Sequence, residues 1–170
     1  ENDANVNVLN YRKMTPLHFS SMFGYIELTK FLLNMKVSIN QQDQTGASAL
    51  AYACSKGHTE IAKLLIDYGA DIYTRMRFSE FDGNFDILGP IYFACKNGHL
   101  EIVKYLISKG NCPVNLYGAN TKVTPLHVAC QFGQFEIVKE LVSKGASINE
   151  RENEGFTPLH EVCAYTRYGA

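Results

Sequence analysis

Apolar residues recur along the chain in short runs with helical spacing: Ile26 to Leu33, Ile61 to Ile66, Ile102 to Ile107 and Ile137 to Val142. A lysine interrupts each run, so each predicts an amphipathic helix with one buried face. The polar face carries Glu27/Lys30, Glu60/Lys63, Glu101/Lys104 and Glu136/Lys139, opposite charges three residues apart on a solvated surface. A glycine precedes each run (Gly24, Gly57, Gly98, Gly133) and permits a tight turn. Before each glycine a second apolar stretch opens on Thr15-Pro16-Leu17-His18, Ser48-Ala49-Leu50-Ala51, Gly89-Pro90-Ile91-Tyr92 or Thr124-Pro125-Leu126-His127, and a fifth copy, Thr157-Pro158-Leu159-His160, follows. Thr or Ser accepts a backbone N–H at a helix start, and Pro fits the first turn because its missing donor costs nothing there. The pattern therefore predicts a helix, a glycine turn and a second helix, repeated.

The five openings lie 33, 41, 35 and 33 residues apart, which gives a period of 33 with additions after the second and third copies. Gly69, Gly110 and Gly145 are expected to end second helices in the left-handed conformation, and Ile72, Val114 and Ile148 to begin an extended segment toward the next copy. Lys36 replaces glycine in the first copy, so that helix end is expected to be less comfortable.

A 33-residue unit opening on T-P-L-H-x-A resembles the ankyrin repeat, and the resemblance covers essentially the whole chain. It implies an all-α solenoid of stacked helix-turn-helix units with β-hairpin loops, in which first helices and hairpin tips line a concave face. Stability in such an array comes from each unit packing on its neighbours. The expected organisation is the tail of a preceding repeat over 1–9, repeats over 10–42 and 43–74, a hairpin insertion over 75–86, repeats over 87–117 and 118–151, and a truncated repeat over 152–170. Asp3-Ala4-Asn5-Val6-Asn7 aligns with Gly145-Ala146-Ser147-Ile148-Asn149, so the chain reads as a segment of a longer array, expected to associate end to end through uncapped repeats.

Composition narrows the function. Sixteen basic and seventeen acidic residues leave a net charge of -1, without the positive excess of a nucleic-acid or anionic-membrane binder. No apolar run approaches the roughly 20 residues that cross a bilayer, and Glu1 to Asn10 has no signal-peptide character. No membrane insertion and no nucleic acid are expected. Cys54, Cys95, Cys130 and Cys163 each stand six residues after the Thr-equivalent position, where the family has Ala and the first copy has Ser21. Neighbouring helices about 8–10 Å apart are too distant for disulfides, so these thiols are expected to be free fillers suited to the cytoplasm or nucleus. Cys112 lies in the lengthened segment Asn111-Cys112-Pro113 and is expected to be the most exposed and reactive.

His127 with Cys130, and His160 with Cys163, have a spacing that metal ligands can use. The resemblance instead makes the TPLH histidine structural, tying neighbouring hairpins together, with His58 and His99 structural at the second helices. No HExxH, P-loop, GxSxG or dinucleotide fingerprint is present, so neither catalysis nor a cofactor or metal is expected. Asp82-Gly83-Asn84-Phe85-Asp86 starts like a calcium loop, but Ile87 stands where that loop needs Gly and Phe93 where it needs Glu.

Binding is the remaining expectation. In the family's pattern the variable concave positions are the residue before the Thr (Met14, Ala47, Leu88, Val123, Phe156) and the first-helix ends (Met22-Phe23, Ser55-Lys56, Lys96-Asn97, Gln131-Phe132, Ala164-Tyr165), with Tyr11 at the first tip. Large side chains where exposure is expected suggest a docking face, though some can serve as contacts between repeats. The addition after the second copy, within 75–86, places Phe78, Phe81 and Phe85 around an Asp-Gly turn and predicts a projecting hairpin finger, or an insertion folded back on the third copy. The expected binding set is Tyr11, Met22, Phe23, Lys56, Phe78, Phe81, Phe85, Lys96, Phe132, Phe156 and Tyr165, holding a partner protein or peptide. The alternative is a regulatory ankyrin domain that senses a small ligand such as a nucleotide, using Lys56, Lys96, Arg75 and Arg77, or that targets a larger enzyme or channel.

Overall fold

The computed structural model describes residues 5–79 and 85–162. Four helix pairs follow one another: α1 (Pro16–Phe23) with α2 (Ile26–Asn34), α3 (Ala49–Lys56) with α4 (Thr59–Asp67), α5 (Pro90–Lys96) with α6 (Leu100–Ser108), and α7 (Pro125–Gln131) with α8 (Phe135–Ser143). Residues 158–162 are helical again. Between the second and third pairs, β1 (Met76–Ser79) runs antiparallel to β2 (Phe85–Leu88), pairing Met76 with Leu88 and Ser79 with Phe85. No described helix is long and apolar enough to cross a membrane.

The TPLH copies start their helices as their chemistry requires. Thr15 Oγ1 accepts the His18 N–H at 3.4 Å, and the His18 ring returns the favour by accepting the Thr15 N–H on Nδ1 at 3.0 Å. Thr124 and His127 repeat both bonds, at 3.4 and 3.2 Å. Ser48 supplies half of this device, accepting from Ala51 N–H, and Gly89 supplies no side-chain cap. Gly24 and Gly57 then turn with φ of 78° and 77°. They are glycine for a second reason: a Cβ at Gly24 would lie 2.7 Å from the His58 ring, and one at Gly57 2.5 Å from that of His99.

The core has no single centre. First helices pack in the order α1, α3, α5, α7 and second helices in the order α2, α4, α6, α8. Leu17, Leu50, Ile91 and Leu126 are buried along the first stack, and Leu32, Leu65, Leu106 and Leu141 along the second. Hairpin tips are joined by backbone bonds of 2.9 Å, from Gln44 N–H to Arg12 and from Arg77 N–H to Thr45. The four Glu–Lys pairs lie on the exposed side at 2.8 to 3.1 Å, where solvent screens them and they add little to stability.

Two expectations need correction. Gly110 does not take the left-handed conformation; Asn111 does, with φ of 54°. One extra residue has entered ahead of the turn, so Asn111 stands in register with Gly69 and Gly145. Cys112 in turn matches Ala70 and Ala146: its N–H donates to Leu106 O at 3.0 Å, as theirs do to Leu65 and Leu141 at 2.9 Å. That register swings Cys112 inward, where it is 3% exposed and burial pushes its thiol up to about 12. It is a filler like Cys54 and Cys95, not a reactive surface thiol. Lys36, by contrast, takes the strained φ of 53° that its place at a glycine position implied.

The second correction concerns the residues before the Thr. Met14, Ala47 and Leu88 are buried and Val123 is half-buried, so at these four positions the column turns inward, and Phe156, the fifth, is exposed.

Candidate functional site

Two ladders of hydrogen bonds run across the repeats, and both consume backbone carbonyls. On the hairpin side, His18 Nε2 donates to Ala47 O and His127 Nε2 to Phe156 O, both at 3.1 Å. Because Nδ1 of each ring accepts a backbone N–H, Nε2 must carry the proton and the ring is neutral. Burial, the main cause, holds both imidazoles below the ordinary histidine value. Tyr92 stands at the same column position, and its hydroxyl donates to Leu116 O at 2.6 Å, with Val123 O 3.3 Å away. It does the histidine's work with a longer reach across a lengthened repeat.

On the helix side, His58 Nε2 donates to Met22 O at 3.1 Å and His99 Nε2 to Ser55 O at 3.3 Å. Gln134 takes the place of histidine in the fourth repeat and donates to Lys96 O at 3.0 Å. The carbonyls at the first-helix ends are thus bound into the scaffold, while the side chains on the same residues are free to differ from copy to copy.

Those side chains include much of the expected binding set. Lys56 is exposed at the end of α3. Lys96 and Phe132 are half-buried, and Lys96 Nζ sits 4.6 Å from the centre of the Phe132 ring, a cation–π contact from the third repeat to the fourth. Tyr11 is 99% exposed at the first tip, where its carbonyl accepts from Gln44 Nε2. Met22 is half-buried. Phe23 is 56% exposed but not isolated: its ring stacks between Phe19, at 6.4 Å, and Tyr25, at 6.0 Å. Phe156 is exposed, yet it shares the column of buried Met14, Ala47 and Leu88, and its ring lies 6.1 Å from that of His160. The structure therefore brings Lys96 and Phe132 together and separates them from Phe23, which belongs to another cluster.

Where a hairpin finger or a folded-back insertion was expected, β1 and β2 pair antiparallel, and Arg77 N–H donates to Thr45 O. Phe78 and Phe85 lie on the two strands, and Phe81 lies outside the described residues, as do Tyr165, Cys163 and Asp82, Gly83 and Asn84 of the calcium-like motif.

Lys56 and Lys96 stand at first-helix ends and Arg12, Lys13 and Lys122 at the first and fourth tips, while the fifth tip carries Glu150, Glu152 and Glu154 with Arg151. Across the first, second and fourth tips the carboxylate is Asp43, which faces inward. Its Oδ1 accepts from Thr45 N–H at 2.8 Å, Thr45 Oγ1 at 2.7 Å and Ala47 N–H at 3.0 Å, and its Oδ2 from Tyr52 Oη at 2.7 Å. Burial alone would raise its pKa, but these bonds outweigh it and hold the carboxyl below its usual range. Among the described residues no cluster of His, Cys, Asp and Glu has the form of a metal site.

Sequence reasoning overlooked Phe19, Tyr25, Leu28 and Phe31, an exposed apolar group on the first repeat. Their helical spacing pointed to the core. The missing signal was whether another helix packs against them, which spacing along one helix does not record.

A family model described as ankyrin repeats (3 copies) matches residues 2–76 and 81–152, and another, ankyrin repeats (many copies), matches 50–107. The chain is 43% identical over 58 residues to the 26S proteasome non-ATPase regulatory subunit 10 of Dictyostelium discoideum, covering 34% of this chain and 25% of that protein. It is 40% identical over 58 residues to protein phosphatase 1 regulatory subunit 27 of Mus musculus, covering 34% and 38%. It is 33% identical over 78 residues to ankyrin repeat and SAM domain-containing protein 6 of Rattus norvegicus, covering 45% and 9%. The matches span well under half the length of these relatives.

Proposed function

The chain belongs to the ankyrin repeat family, and from that premise we propose that it is a non-catalytic docking module that holds a segment of a partner protein along its first-helix ends and hairpin tips. The observation that carries this reading is the division of labour at those ends. The carbonyls of Met22, Ser55 and Lys96 hold the array together, whereas Lys56, Lys96 and Phe132 present charge and ring surface that the ladder does not require. Two of the three relatives named above are regulatory subunits by name, which agrees with binding as the general task.

The cations at Lys56, Lys96, Arg12, Lys13 and Lys122, against an Asp43 that is turned inward, fit a partner segment carrying carboxylates beside apolar residues. The finger, with Phe78, Phe81 and Phe85 in its sequence, would extend the same surface; Phe156 is left out because the rest of its column is buried or half-buried, and Phe23 because its ring stacks on Phe19 and Tyr25. Buried free thiols suit work in the cytoplasm or nucleus.

Affinity capture from a lysate with the wild-type chain and with a Lys56→Glu, Lys96→Glu double variant tests the proposal. Capture should fall by at least about tenfold in the variant, weaken in the wild type as salt is raised, and leave the melting temperature unchanged. Undiminished capture, or a melting temperature raised by nucleotides instead, would sink it.

A further inference from the structure

Leaving aside the third tip, which the finger enlarges, the hairpin tips are of two kinds, and two positions change together. The residue just before Met14, Ala47, Val123 and Phe156 has a left-handed backbone each time: φ is 59° at Lys13, 85° at Gly46, 59° at Lys122 and 86° at Gly155. The residue that opens the turn is Asn10, Asp43, Gly118 or Glu152, whose backbone N–H donates across it to Met14, Ala47, Val123 or Phe156 at 2.8 to 3.1 Å. Where the left-handed residue is glycine, the opener is a carboxylate that accepts a tip N–H: Asp43 from Ala47 at 3.0 Å and Glu152 from Phe156 at 2.8 Å. Where it is lysine, the opener has no charge. Asn10 Oδ1 accepts from Met14 N–H at 3.0 Å in the first tip, and in the fourth, where the opener is Gly118, Thr121 Oγ1 accepts from Val123 N–H at 3.3 Å.

A side chain with a Cβ is strained in this region and glycine is not. Among the described residues nothing offsets that strain: both lysines are exposed, and neither ammonium has a hydrogen bond or an ion pair. The other two non-glycine residues with positive φ have local reasons. Asn111 is of a type that visits the region readily, and Lys36 follows the C-terminus of α2, where a cation is favoured. Lys13 and Lys122 have neither reason, and their own tips lack the carboxylate that would neutralise them. Their backbones are held in place all the same, because Arg12 O accepts from Gln44 N–H and Thr121 O from Asn153 N–H, both at 2.9 Å. Strain kept at a fixed, exposed position points to a contact outside the fold.

We infer that Lys13, with Arg12 beside it, and Lys122 are two anion clamps, each taking a cluster of carboxylates on one extended segment of a partner protein. This rests on the docking reading above and goes further by fixing where that segment's charges lie. The first and fourth tips are three steps apart in the stack, about 24–30 Å at about 8–10 Å per packed helix, which an extended chain crosses in about seven to nine residues. A uniform polyanion such as a nucleic acid fits worse. Between the clamps the finger's sequence sets Glu80, Asp82 and Asp86 against Arg75 and Arg77, and beyond them the fifth tip carries Glu150, Glu152 and Glu154 with Arg151. Two separated acidic clusters avoid both places.

The test is fluorescence anisotropy at low salt with a synthetic Gly-Ser peptide carrying two triglutamate clusters about eight residues apart, against peptides of equal charge spaced at about two and about sixteen. The first should bind at least about tenfold tighter than the other two and than a peptide with one cluster. Lys13→Gly and Lys122→Gly should each remove most of that gain, and Lys13→Arg should keep it. Each glycine variant should also raise the melting temperature by about 1–4 °C as strain is released. Glycine variants that lower it, peptide binding that is absent or indifferent to spacing, or tighter binding of a single-stranded oligonucleotide of equal charge each overturn the inference. Lysate capture separates this failure from that of the docking reading. Capture that survives the Lys13→Gly, Lys122→Gly double variant but not Lys56→Glu, Lys96→Glu removes the clamps alone, and capture indifferent to all four substitutions removes both.

Discussion

The junction between the first and second repeats and the junction between the second and third are built from the same helices but fastened differently. The first has both ladders: His18 holds Ala47 at the hairpin side, and His58 holds Met22 at the helix side. The second keeps the helix-side bond from His99 to Ser55, and Asn97 Nδ2 adds another to the same carbonyl at 2.9 Å. At its hairpin side the histidine position is Ala51, which has no donor, and the 41-residue spacing inserts the β1–β2 hairpin there. Among the described residues no side-chain tether replaces the histidine where the tip has been enlarged, although the backbone bond from Arg77 N–H to Thr45 O still joins the tips, and the Asp43–Tyr52 clamp stiffens the second repeat's own tip. The difference teaches that apolar packing between helices carries the array, while hairpin tethers can be removed or rebuilt, as Tyr92 rebuilds one in the third repeat.

If packing carries both junctions, truncating their equivalent aliphatics should cost the same. Ile61→Ala and Ile102→Ala should each remove about 2–5 kcal/mol by urea denaturation, since each leaves a cavity in a closed site. A much smaller loss at Ile102 would show that the insertion has loosened the second junction and would break the comparison.

The tethers should be visible through pH. His18 and His127 have folded pKa values lowered by burial, so the unfolded chain binds protons that the folded chain refuses. Their contribution is complete above about pH 6.5 and is lost as pH falls below it, at a rate of no more than about 1.4 kcal/mol per pH unit for each ring. Urea midpoints at pH 7.5 and 5.5 should show this fall. His127→Tyr, which imports the solution used at Tyr92, should reduce the slope by about half. An unchanged slope would mean that the histidine tethers do not set the acid sensitivity.

The smallest effect concerns the first repeat alone. Ser21 Oγ is buried without a hydrogen-bond partner among the described residues, in the column filled elsewhere by Cys54, Cys95 and Cys130. Ser21→Cys should raise stability by about 1 kcal/mol by removing an unpaired buried hydroxyl. A loss would mean that the hydroxyl is satisfied in solution.

Much of the candidate site was legible because it rests on local rules. Lys56 and Lys96 end first helices as their distance from Ser48 and Gly89 implied, and the finger forms where the spacing lengthens. What was not legible is what stands opposite a residue. Phe23 and Phe132 occupy one column, yet Phe132 meets Lys96 of the preceding repeat while Phe23 stacks on Phe19 and Tyr25. Met14 and Leu88 sit at variable tip positions but are covered by neighbouring hairpins.

By itself the sequence determined the period, the helix pairs and their starts, because capping, helical spacing and proline placement act within one turn of chain. Tertiary structure decided the rest. Left-handed Asn111 in place of Gly110 turned Cys112 inward, a carbonyl 24 residues away gave Tyr92 the role of a histidine, and Leu28 lies open among the described residues where Ile61 is closed. Burial and hydrogen bonding across repeats depend on groups about one period distant, and no local pattern records whether such a group has arrived.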